Sequence, residues 1–218
     1  MLPATISVSF AAADADGIST TQTPSGAGNL TITGALASGG VATLTPKTGR
    51  QDRQVVITCS GSDAGRTFTV YGTNGQGLAI SEAIAGSASS TSVSVSYFQT
   101  VTRVAVDAGT AGAVTVGTNG VGGSTPWMPD NFCETINISL AIEVTGTINC
   151  TVQYTYGDVY AASGYGSLTW WSHATLASIT SNTESSTTNP VIAFRLKQNS
   201  FSTGATANLT LLQSGPIQ

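Results

Sequence analysis

Apolar and polar residues alternate in short runs along most of the chain. Residues 4–10 (Ala-Thr-Ile-Ser-Val-Ser-Phe) put Ile6, Val8 and Phe10 on one side and Thr5, Ser7 and Ser9 on the other. That period of two is the mark of a half-buried strand. The same alternation recurs over residues 29–33, 41–45 and 92–98, and residues 54–59 read as a further strand. Residues 67–73 and 78–84 read as a hairpin joined by Asn74-Gly-Gln-Gly77, whose Asn and Gly residues supply positive φ. A second hairpin is expected between residues 101–106 and 113–116, across the loop 107–112. These nine strands follow one another at the roughly 8–12-residue spacing of a β-sandwich or barrel.

Residues 117–129 (Gly-Thr-Asn-Gly-Val-Gly-Gly-Ser-Thr-Pro-Trp-Met-Pro) break the pattern. Their Gly and Pro content reads as a linker, with Trp127 as an anchor. Beyond it lie four or five further strands. Residues 134–143 and 146–156 are expected to form a hairpin about Thr145-Gly146, and residues 191–197 and 207–212 follow. Residues 181–190 read as a polar loop. The expected fold is therefore all-β, with two β-sandwich domains, immunoglobulin-like or jelly-roll-like, joined by a Gly/Pro-rich linker. Residues 1–120 would form an N-terminal sandwich with an extended N-terminal arm. Residues 121–218 would form a smaller, aromatic-rich one.

Composition narrows the function. The chain has 218 residues, of which 40% are hydrophobic, ample for a core, and only 8% are charged, against a usual share of about 25%. Sixty residues are Ser or Thr, and the net charge is −4. A nucleic-acid partner calls for a basic face, and no Lys/Arg cluster exists. No apolar run approaches the roughly 20 residues of a membrane helix. Neither nucleic acid nor membrane is an expected partner. Strands that expose Thr and Ser in place of Lys and Glu carry little charge to block edge-to-edge pairing, which points toward assembly.

The N-terminus is a weak match to a signal peptide, because no Lys or Arg precedes its apolar stretch. The three cysteines, Cys59, Cys133 and Cys150, are an odd number and argue against a disulfide framework. A turn at Thr145-Gly146 would set Cys150 opposite Ala141 and Cys133 opposite Asp158, so these two would not meet. Three free thiols made in a reducing cytoplasm are expected.

Catalytic signals are weak. His173 is the single histidine, and no Gly-x-Ser-x-Gly elbow accompanies it. No Cys-x-x-Cys spacing offers a zinc site. Asp14-Ala-Asp16-Gly17 faintly resembles a calcium loop but lacks the later bidentate Glu, and reads as a turn. Asp52, Asp63, Glu82, Glu134 and Asp158 are scattered. No enzyme activity and no cofactor are expected. The aromatic residues Tyr154, Tyr156, Tyr160, Tyr165, Trp170 and Trp171 fall within 18 positions. They suit core packing, a protein interface or sugar stacking. Adjacent strand residues such as Trp170 and Trp171 point to opposite faces.

Several stretches resemble small virion proteins of tailed bacteriophages. They are Asp14-Ala-Asp-Gly17 with Thr23-Pro-Ser-Gly-Ala-Gly-Asn-Leu-Thr-Ile-Thr-Gly-Ala-Leu36, Thr67-Phe-Thr-Val-Tyr-Gly-Thr73 and Phe98-Gln-Thr-Val-Thr-Arg-Val-Ala-Val106. Residues 111–116, Thr151-Val-Gln-Tyr-Thr-Tyr-Gly-Asp158 and Trp170-Trp-Ser-His-Ala174 extend the likeness over most of the chain. It implies a place in the virion, many copies and contact with capsid or tail proteins, and carries over no active-site residues. The expectation is a capsid decoration (cement) protein made in the host bacterial cytoplasm. It would bridge subunits of the major capsid protein and self-associate as a trimer or dimer. The alternatives are a tail component (adaptor, tube or fibre-attachment protein) and a host-glycan-binding module centred on Tyr160, Tyr165, Trp170 and Trp171. The interface residues expected are Ile6, Val8 and Phe10 of the arm, with Trp127, Tyr160, Tyr165, Trp170 and Trp171.

Overall fold

The computed structural model of the chain describes residues 3–9, 12–45, 51–131, 136–161 and 164–214. Among these the fold is all-β, with seventeen strands, a single 3₁₀ turn at Tyr165–Ser167 and no α-helix. The chain divides into two compact units. The first comprises Ala12–Asn119 and Ala162–Ser167; the second comprises Met1–Ala11, Gly120–Ala161 and Leu168–Gln218. The leading strand, β1 (Ala4–Ser9), belongs to the second unit and is described with it.

The first unit holds β2 (Asp14–Gln22), β3 (Gly28–Leu30), β4 (Ala37–Ser38), β5 (Val41–Thr43) and β6 (Gln51–Cys59). It continues with β7 (Thr67–Thr73), β8 (Ala79–Ala85), β9 (Thr91–Phe98), β10 (Thr100–Val106) and the first part of β11 (Val114–Ser124). One sheet runs β4-β5-β10-β7-β8, with β3 also on β10; β9, β6 and β11 pair in a second, with β2 also on β11. Both sheets feed one apolar core, in which Phe68, Val104 and Leu30 meet Ile18, Ile57 and Val116. Burying side chains of this size removes about 1.5–3 kcal/mol each of unfavourable hydration.

The β7–β8 hairpin forms as expected, in register from Thr67↔Ala85 to Thr73↔Ala79. The Asn74 carboxamide oxygen accepts the amides of Gln76 and Leu78, each at 3.0 Å, and Gly77 takes φ 81°. Gly72 is required on β7, because a Cβ there would lie 1.9 Å from the Thr100 carbonyl oxygen. From β8, the Glu82 carboxylate accepts the amides of Val95 and Ser96, both at 2.7 Å, and so covers part of the end strand β9.

The second unit contains β1, the end of β11, β12 (Ile138–Thr145), β13 (Ile148–Thr155), β14 (Trp171–Ser172), β15 (Thr183–Thr187), β16 (Ala193–Phe201) and β17 (Thr206–Gln213). One sheet runs β1-β17-β12-β15; in the other, β14, β13 and β16 pair in turn, and Gly122 and Gly123 of β11 pair with β16. Its core gathers Val8, Leu140 and Leu209 from the first sheet with Val152, Phe194 and Leu196 from the second.

Several expectations are corrected. The residues expected as an extended N-terminal arm are divided: β1 is an internal partner of β17, from Ala4↔Leu211 to Ser9↔Thr206, and β2 lies in the other unit. Residues 117–124, expected as linker, are the second half of β11. The expected hairpin about Thr145-Gly146 does not pair; β12 and β13 lie in different sheets, and Cys150 sits opposite Gln198, not Ala141. Parity gives the reason. Pairing across that turn would set Leu140 and Ile142 beside Thr151 and Asn149, mixing apolar and polar side chains on one face. In separate sheets Ile138, Leu140 and Ile142 bury together with Ile148, Cys150 and Val152 in one core. Likewise β10 and β11 lie in different sheets, not in a hairpin.

Candidate functional site

Segment 168–189 of the second unit brings the most side-chain chemistry together. β13 carries Tyr154, which packs on Phe194 at 6.4 Å between ring centroids and meets Tyr156 edge-on at 5.8 Å. β14 pairs with β13 so that Trp171 stands opposite Tyr154. Directly opposed strand residues share a face. The Tyr156 and Trp171 rings are exposed, at 56% and 54%.

The chain after β14 stays tied to β13: the His173 amide donates to the Val152 carbonyl at 2.9 Å, and Leu176 is wholly buried. These bonds seat His173 at the edge of Tyr154's face. The His173 Nδ1 accepts the Thr175 amide at 3.4 Å and lies 3.3 Å from Thr175 Oγ1. A neutral imidazole that accepts at Nδ1 carries its hydrogen on Nε2. Thr175 Oγ1 is 2.7 Å from Ser185 Oγ on β15, linking the two walls of an open cleft. The cleft has a volume of about 330 Å³; Tyr154, His173, Ala174 and Thr175 line one side and residues 185–189 the other. Its lining carries aromatic faces, hydroxyls and one carboxamide, and no Asp, Glu, Lys or Arg.

Behind Trp170 the electrostatics differ. The Arg195 guanidinium lies 4.0 Å over the Trp170 ring and its Nε donates to Gln153 Oε1 at 2.9 Å. Burial, and then the charge of Arg195, lower the Lys197 pKa. Burial pushes the Cys150 thiol up to about 11, so it is an unreactive core group. In the first unit Arg53 is fully buried and donates to the Asn119 carbonyl at 2.6 Å. Burial lowers its pKa to about 10, against the opposing pull of Asp14. Among the described residues no three His, Cys, Asp or Glu side chains group to hold a metal ion, and no helix is long and apolar enough to cross a membrane.

The residues expected as one interface have different surroundings. Val8 is a core residue, Ile6 packs against that core, and Phe10 lies outside the described residues. Trp127 is bonded to Phe194 through both backbone groups, at 2.7 and 2.8 Å, with its ring 6.4 Å from the Phe194 ring; it anchors the unit internally. Tyr165 is only 1% exposed and belongs to the first unit, where its hydroxyl accepts the Gly75 amide at 3.3 Å. Trp170 is engaged by Arg195. Of the four residues expected to centre a glycan site, only Tyr160 and Trp171 are exposed. The hydroxyl wall of the cleft escaped sequence reading because Thr183-Glu-Ser-Ser-Thr187 has the polarity of a loop, although its Thr and Ser at alternate positions suit a strand edge.

No protein-family model matches the chain, and no curated protein matches it.

Proposed function

We propose that the protein is a non-enzymatic structural component of a tailed-phage virion, a capsid decoration protein that bridges subunits of the major capsid protein. The observation that carries this reading is the outer face of the sheet β1-β17-β12-β15. Across it, Thr5, Thr210 and Ala141 lie in one row and Leu212 and Ser139 in the next. Leu212 is exposed, and an open depression of about 530 Å³ spans this face beside Ala141, Thr210 and Leu212. The end strand β1 carries no charged side chain. Natural edge strands are commonly blunted by charge, so an uncharged one suits addition of a partner strand. A specific contact would bury about 1,000 Å² or more.

In this reading each unit is a β-sandwich, the copies associate as a trimer or dimer, and the virion receives them in the host bacterial cytoplasm. The phage-like phrasing of the sequence supports the same assignment. Co-sedimentation with purified heads of the phage tests it: wild-type protein binds heads, and Thr210→Lys with Leu212→Asp abolishes binding while leaving circular dichroism unchanged. Undiminished binding by that variant overturns the role given to this face.

A further inference from the structure

We propose that the cleft between Tyr154, His173 and β15 binds a neutral saccharide. The inference does not rest on a place in the virion; it rests on what lines the cleft. One wall offers aromatic surface: Tyr154 within the cleft, with the exposed Trp171 opposite it on the same face and the exposed Tyr156 against its edge. Aromatic faces carry the negative lobe of the ring quadrupole, which attracts the weakly positive C–H groups on one face of a pyranose. The other wall offers hydroxyls and an amide. Thr175 and Ser185 are bonded to each other, which fixes the wall. No hydrogen bond among the described residues engages the side chains of Thr188 or Asn189. These groups and the His173 Nε2 hydrogen give a mixed set of donors and acceptors, the complement that sugar hydroxyls require.

The lining excludes other ligand classes. No lysine or arginine faces the cleft, so a phosphate, sulfate or carboxylated sugar finds no ion-pair partner there. No Asp or Glu lines it, so a cation finds none either. An apolar ligand would leave the hydroxyl wall unmatched. The volume, about 330 Å³, lies at the small end of the roughly 300–1,000 Å³ usual for ligand sites, which suits a mono- or disaccharide unit of a longer glycan.

Saturation-transfer NMR on the full chain tests the proposal. The probes are methyl glycosides of glucose, galactose, mannose and N-acetylglucosamine, together with maltose and cellobiose. The expected result is transfer to at least one probe, strongest at the C–H groups of one ring face. Trp171→Ala and Asn189→Ala each weaken that binding by about tenfold or more, with unchanged circular dichroism, because both side chains are exposed. Tyr160→Ala, an exposed tyrosine outside the cleft lining, leaves it unchanged. Absence of transfer from every probe at millimolar concentration overturns the proposal. So does binding that survives in both Asn189→Ala, in the cleft lining, and Trp171→Ala, opposite Tyr154 beside it, or that is lost only with Tyr160→Ala. A failure here leaves the head-binding experiment untouched, and a failure of head binding leaves this one untouched.

Discussion

Gln198 sits where a hydrophobic residue belongs. It is on β16, fully buried, opposite Cys150 of β13 and Gly122 of β11. It follows Phe194 and Leu196 at intervals of two, so its side chain points to the core face that they occupy. Neither its amide nitrogen nor its oxygen has a hydrogen-bond partner among the described residues. A buried polar group left unpaired costs about 1–3 kcal/mol. Methionine has nearly the same length and no such group, and a volume-conserving exchange costs under about 1.5 kcal/mol in packing. Gln198→Met is therefore expected to stabilise the second unit, by up to about 3 kcal/mol once the packing cost is subtracted. For a chain of this size that raises the melting temperature by roughly 2–4 °C per kcal/mol. The assay is urea unfolding followed by tryptophan fluorescence. All three tryptophans, Trp127, Trp170 and Trp171, lie in the second unit, so the signal reports that unit alone. Destabilisation by more than about 1 kcal/mol refutes the reasoning, because it means that the amide is satisfied by a buried water.

Three further outcomes follow from the packing. Phe194→Ala removes the ring that Trp127 and Tyr154 both touch, and is expected to cost about 3–5 kcal/mol in the same assay. Glu82→Ala strips the acceptor from two amides and is expected to cost the first unit about 1–3 kcal/mol. Amide hydrogen exchange at Val95 and Ser96 should then accelerate while that of the second unit is unchanged. For Cys150 the folded pKa stands near 11 against an ordinary 9.0. Between these values the unfolded chain releases its proton first, so the thiol's contribution to stability falls as pH rises through that window. Relative to Cys150→Ala, the wild type is expected to lose urea resistance from about pH 9 to pH 11; parallel profiles of the two proteins contradict this.

Local chemistry made part of the fold readable. The β7–β8 hairpin was readable because Asn74 and Gly77 build the turn from their own side-chain and backbone preferences. The placement of β12 and β13 was readable in principle. Their apolar residues share one parity, which a two-residue turn cannot place on one face of one sheet. β2 was hidden because its register on β11 shifts twice, which erases the period of two; Ile18 and Ser19 are both buried in succession. The role of β1 could not be read locally, since alternation shows that a segment is a strand and not which strand it joins. Non-local pairing also decided the site. Tyr165 and Trp170 are near in sequence, yet Tyr165 belongs to the first unit and Trp170 to the second. Tyr154 and Ser185, far apart in sequence, line one cleft.

Copy number per virion tests the decoration role most directly. It is measured by quantitative mass spectrometry of purified particles against the major capsid protein. A ratio near one, or a simple fraction such as one third, is the predicted result, because shell proteins follow the symmetry of the capsid. About six to twelve copies per particle would place the protein in a tail ring and contradict decoration, and absence from the particle would contradict any place in the virion.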